Sequence, residues 1–151
     1  MRTYLVIMDE SDEAEVALRF AARRASKTGG SVRILALVPP PEFVQWGGVQ
    51  ATMEEEARQR AEALVMGSAG TLMQELGVRP VITVKSGEPI PTIRKVLDED
   101  DSISALVLGA AAQGAPGPLI AHFATGESGR IKCPIMIIPG GLSSEEIDRL
   151  S

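Results

Sequence analysis

The chain has few of the residues that carry most protein chemistry. Its 151 residues include one cysteine, Cys133, and one histidine, His122. A lone cysteine excludes an intramolecular disulfide and fits a reducing compartment. No HExxH, CxxC or GxSxG pattern occurs, so metalloprotease, thioredoxin-like and serine-hydrolase chemistries have no foothold. Aromatic residues make up only 3%. The core must therefore be aliphatic, and single-stranded nucleic acid would lack stacking platforms. A net charge of −5 disfavours nucleic acid and anionic membrane as partners. No apolar run approaches the roughly 20 residues of a membrane span. The opening MRTYLVIMDE turns acidic after a short apolar run and carries no small-residue cleavage site, which excludes a signal peptide and predicts a cytoplasmic protein.

What is present is an ordinary globular balance, 44% hydrophobic and 23% charged. The length suits one domain over residues 1–151, with 140–151 as a C-terminal tail helix. A chain of this size buries roughly 68–70% of its unfolded surface and needs no staple. Tyr4 to Met8 is a continuous apolar run, as in a buried parallel strand. Ser11 caps the next segment, where Ala14, Ala17, Leu18, Ala21, Ala22 and Ala25 recur at helical spacing before Gly29-Gly30. Ser31 to Val38 reads as a second strand, stopped by Pro39-Pro40-Pro41. A loop to Gly48, a candidate lid, precedes a helix over about Val49 to Leu76. Val78 to Lys85 is a third strand, and a helix with Pro89 in its first turn follows to about Glu99. Ser104 to Leu108 is the fourth strand, Leu119 to Ile131 the fourth helix and Cys133 to Ile138 the fifth strand. Ser143 to Glu146 forms a capping box for a last short helix. The alternating order predicts an α/β fold, a three-layer sandwich around a parallel sheet.

The stretch SALVLGAAAQGAPG, Ser104 to Gly117, is the candidate binding device. A strand, a small-residue loop and a helix start together can cradle an anion. Ligands in such sheets sit beyond the carboxyl ends of strands, where strand order reverses. That rule nominates Asp9 after the first strand, Val38 and Pro39 after the second, and Gly109 to Gly117 after the fourth. Yet neither GxxxxGK[ST] nor GxGxxG after the first strand is present. Pro116 and Pro118 also remove backbone donors that a phosphate nest would need.

Three segments resemble the universal stress protein family: LVIMDESDEAEVALRFAARRA, VKSGEPIPTIRKVLDEDDSISALVLGA and CPIMIIP. The resemblance spans nearly the whole chain and implies a five-stranded parallel sheet of order 3-2-1-4-5. It also implies a nucleotide-binding fold and a homodimer paired through the fifth strand, Pro134 to Pro139, with the tail Leu142 to Leu150 packing across the partner. ATP-binding members of the family carry G-xx-G-x9-G[S/T] after the fourth strand. Here Gly109 matches the first glycine, Ala112 falls at the second, and Ala121 and His122 fall at the last pair. A shifted register of Gly114, Gly117 and Gly126 places Glu127 where the hydroxyl belongs. By resemblance the nucleotide-contacting set is Asp9 and Val38 for the adenosine, with Pro39, Gly109, Ala112, Gly114, Gly117 and His122 around the remainder. ATP or AMP is the candidate cofactor, and no metal site or catalytic residue is implied. Three readings stand at this point: a dimeric stress protein acting through partners with weak or absent ATP binding, a genuine ATP or AMP binder using the altered loop, and a nucleotide-dependent enzyme of the same architecture.

Overall fold

A computed structural model describes residues 2–38 and 47–151. Among the described residues, five strands and five helices alternate. The strands are β1 (Thr3–Met8), β2 (Ser31–Val38), β3 (Val81–Ser86), β4 (Ile103–Ala110) and β5 (Ile135–Pro139). The helices are α1 (Asp12–Thr28), α2 (Gly47–Leu76), α3 (Pro89–Glu99), α4 (Pro118–Thr125) and α5 (Ser144–Leu150). All strand pairings are parallel and the order is β3-β2-β1-β4-β5, as expected. Strand β1 lies between β2 and β4, so the order reverses at its carboxyl end.

Each inner strand is apolar on both sides because each face is covered. Val6, Met8, Ile34, Ala36 and Val107 point to the layer of α1, α2 and α5, against Leu18, Val65 and Ile147. Their neighbours Leu5, Ile7, Leu35, Leu106 and Leu108 point to α3 and α4, against Ile93, Val96 and Phe123. The period-2 alternation of strand side chains divides one apolar run between two cores. Burial of aliphatic surface at roughly 25 cal/mol per Å² drives both.

Several boundaries differ from the sequence-based expectations. Strand β3 begins at Val81, not Val78, because Pro80 has no N–H to donate to a ladder. Strand β4 runs two residues past Leu108, pairing Gly109 with Ile138 and Ala110 with Pro139. Helix α4 ends at Thr125, not Ile131. Gly126 caps it, and the Glu127 carbonyl accepts the Arg130 and Ile131 N–H groups in a separate turn. Strand β5 starts at Ile135, since Cys133 and Pro134 lie outside the ladder, although the Pro134 carbonyl accepts the Leu106 N–H.

After β5 the tail forms α5. It packs on its own chain: Ile147 is buried against the sheet, and Asp148 pairs with Arg23 at 2.7 Å and Arg19 at 3.4 Å on α1. The capping box forms as expected, with the Glu146 N–H donating to Ser143 Oγ and the Ser143 N–H to the Glu146 carboxylate.

Candidate functional site

Asp9 ends up at the pivot of the molecule because β1 stops there and α1 does not begin until Asp12. Its carboxylate accepts the Ser11 N–H at 2.9 Å and also the Ser11 hydroxyl. Ser11 occupies the N-cap position of α1, but its hydroxyl is spent on Asp9 and makes no cap bond to the helix. The expected cap is thus replaced by a turn that holds Asp9 in place.

Asp9 opens onto a hollow of about 400 Å³ on the α3 and α4 side of the sheet. Leu37 and Val38 from the end of β2 form one wall, Gly87, Pro89 and Ile90 a second, and Pro118 and Leu119 a third. The carboxylate of Asp9 is the only ionisable side chain on this lining among the described residues. The hollow is therefore an apolar slot with one acceptor at its mouth, a form suited to a flat uncharged ring bearing hydroxyl groups.

A smaller hollow of about 70 Å³ lies beside it, beneath the loop after β4. Asp9, Ser11 and Glu13 line one side, and Gly109, Pro116, Gly117 and Pro118 the other. Here a phosphate would meet two carboxylates and, among the described lining residues, no Lys, Arg or His. The loop's own donors are partly used, since the Ala111 N–H donates to the Pro116 carbonyl at 3.1 Å. Positive φ values at Gly114 (75°) and Gly117 (120°) shape the turn.

The structure brings together Asp9, Val38, Gly109 and Gly117 around these two hollows. Ala112, Gly114 and His122 do not line them. Pro39 and the candidate lid up to residue 46 lie outside the described residues; Gly47 and Gly48 belong to α2. His122 sits one turn into α4, its Nε2 3.3 Å from the Glu127 carboxylate. Arg94 of α3 donates its Nε to the same carboxylate at 3.0 Å. Glu127 is thus neutralised by Arg94, and the carboxylates that face the hollow under the loop are those of Asp9 and Glu13. Arg130 and Lys132 lie beyond the end of α4 at Thr125; the Lys132 ammonium is 3.7 Å from Asp101 and 3.8 Å from Asp98.

Sequence reasoning missed Gly87, Pro89 and Ile90. The turn after β3 could have been found by the same rule that nominated the others, its place at a strand's carboxyl end. Cys133 is buried, and desolvation pushes its thiol up from the ordinary range, against the opposing hydrogen bond from the Leu106 N–H. Among the described residues, no three His, Cys, Asp or Glu side chains converge on a metal-sized site, and no helix is long and apolar enough to cross a membrane.

An open parallel sheet with a hollow at its switch point defines the Rossmann-like α/β fold common among nucleotide-binding proteins. The sequence pattern of the Universal stress protein family matches residues 1–139, and the chain belongs to that family. No curated protein sequence matches the chain. Among solved structures it is similar to universal stress protein UspA from Lactobacillus plantarum, with 18% identity, a TM-score of 0.69, and coverage of 91% of this chain and 97% of that one. The universal stress protein from Archaeoglobus fulgidus in complex with dAMP gives 20% identity, a TM-score of 0.57, and coverage of 91% and 98%. A universal stress protein family protein from Arabidopsis thaliana with AMP bound gives 16% identity, a TM-score of 0.58, and coverage of 92% of each chain. At these identities the likeness establishes the fold.

Proposed function

We propose that this universal stress protein is a cytoplasmic homodimer that acts in stress response through protein partners, and that its cleft takes the nucleoside part of an adenine nucleotide while holding ATP weakly or not at all. One observation carries the reading: the hollow above β2 is apolar with a single carboxylate, whereas the hollow under the β4–α4 loop is acidic. Adenine would lie against Val38, Ile90 and Leu119, and Asp9 would accept from ribose hydroxyls. A polyphosphate beside Asp9 and Glu13 would meet like charge, an unfavourable term even in high dielectric. The reading is one of binding, carried by an apolar slot with a single acceptor.

The neighbours solved with AMP and dAMP favour one second reading, a mononucleotide that keeps its single phosphate at the loop. Thermal unfolding with adenosine, AMP and magnesium-ATP separates the two. A ligand at 100 times its dissociation constant adds about 2.7 kcal/mol of stability. The expected order is adenosine strongest and ATP weakest, with the adenosine shift lost in Asp9→Ala. Tightest binding by ATP would overturn the proposal; tightest binding by AMP would select the second reading.

A further inference from the structure

Helix α2 turns a stripe of residues spaced by three and four toward the sheet and α1: Ala61, Val65, residue 68, Leu72 and Leu76. Such a stripe is normally apolar throughout. At its centre stands Ser68. Opposite that interruption lies a hollow of about 450 Å³, larger than the one at the Asp9 cleft and on the other face of the sheet. Leu18, Leu72 and Ile147 form its buried floor. Its volume falls within the roughly 300–1,000 Å³ of sites for small organic molecules. An apolar residue at position 68 would fill part of it, so the serine forgoes packing energy.

Three elements meet there. The α5 side is contributed by Leu142, Ser144 and Ile147, all beyond the family match at residue 139. The hollow is therefore built partly by a segment outside the shared family region. Its rim is polar and carries one sign of available charge. Asp12 and Glu15, one turn apart on α1, edge the opening beside the hydroxyls of Ser68 and Thr71. Among the described lining residues the one cation, Arg19, is engaged by Glu75 at 3.2 Å and Asp148 at 3.4 Å. The acids complement the positive end of α1. That accounts for their place in its first turn, but not for the hollow they overlook.

We infer that the hollow between α1, α2 and α5 is a second binding site, separate from the Asp9 cleft, for a small organic ammonium compound with an apolar body. The body rests on Leu18, Leu72 and Ile147, the ammonium reaches Asp12 and Glu15, and the hydroxyls of Ser68 and Thr71 accept or donate at the boundary. The inference stands whether or not the cleft binds a nucleoside.

The test uses 4-phenylbutylammonium as probe, with 4-phenylbutanol and 4-phenylbutyrate as its neutral and anionic counterparts. Amide NMR spectra of the full chain are titrated with each. Saturable shifts confined to the amides around Ser68, Thr71 and Ile147, strongest for the ammonium, are expected, and adenosine should not displace them. Glu15→Gln should weaken the ammonium by roughly two- to five-fold, the scale of an exposed ion pair, and leave the alcohol unchanged. Ser68→Leu should abolish binding and raise the melting temperature by filling the hollow. Absence of shifts at these amides, equal or tighter binding of the butyrate, or unaltered ammonium binding in Ser68→Leu would each overturn the assignment.

Discussion

A methyl group on residue 109 would stand 2.1 Å from the Glu13 carbonyl oxygen. Gly109 thus has a packing reason to be glycine: α1 leans onto the end of β4, and only a bare backbone fits between them. The same crowding acts at Gly140, where a Cβ would come 2.8 Å from the Glu13 Cβ. Packing at the end of β4 therefore accounts for this glycine without a phosphate. Gly109→Ala should destabilise the fold by about 1–3 kcal/mol, the range for overpacking a close contact. Gly67→Ala, in open space on α2, should instead stabilise it by up to about 1 kcal/mol. Urea unfolding of the two variants checks the contrast. Cys133, with its thiol held protonated by burial, should resist aromatic disulfide reagents at neutral pH and react only as the chain unfolds. Fast labelling of the native protein would contradict this.

At the scale of elements, Asp100 fastens the turn after α3. Its carboxylate accepts the Ser102 hydroxyl at 2.5 Å and N–H at 3.0 Å, and meets the Arg33 guanidinium of β2 at 2.6 Å. The Ser102 hydroxyl is the largest influence and, with the Ser102 N–H and Arg33, holds the Asp100 carboxyl below its usual range; desolvation, the second-largest influence, opposes them. A depressed carboxyl contributes stability that is complete above the unfolded value, about 3.9, and is lost as pH falls from there through the folded value. Asp100→Asn should lower stability at pH 7 and flatten its fall below about pH 4, measured as denaturation midpoint against pH. Helix α5 has two supports of different kinds. Ser143→Ala removes the capping hydroxyl and should cost about 0.5–2 kcal/mol. Ile147→Ala removes a side chain that is 2% exposed and should cost about 2–5 kcal/mol. A larger loss from Ser143→Ala than from Ile147→Ala would show that the cap, not the packing, holds the helix. The elements read most accurately from sequence were α1 and β2, where alanine spacing, an apolar run and a Gly or Pro stop agree. The fourth helix was read too long: Ile131 extended the expected segment, but no apolar residue lies between Ala124 and Ile131, and Gly126 and Gly129 make continuation unfavourable.

Across the whole molecule, two strands are edges. Val81 on β3 is 62% exposed and Ile137 on β5 is 43% exposed. An open apolar edge invites pairing with another copy, and a two-fold axis beside β5 would cover it. The proposed homodimer therefore predicts that Ile137→Asp gives a monomer of unchanged circular dichroism, read by light scattering after size exclusion. A dimer that survives this substitution would place the interface elsewhere. The α5 tail, folded onto its own α1, remains compatible with such pairing.

The sequence by itself determined the layered α/β architecture and the family. The architecture follows from the order of apolar runs and helical stripes, and the family from the resemblance of three segments; both are local information written along the chain. It also placed Asp9, Val38 and the loop after β4 at one end of the sheet, because parallel strands put all their carboxyl ends on the same side. Only the tertiary structure decided what stands across from each of them. Glu127 faces Arg94, His122 turns from the cleft, Gly109 answers to Glu13, and Ser68 faces a hollow shared with α1 and α5. Those are contacts between segments far apart in the chain, and no spacing along one segment encodes them.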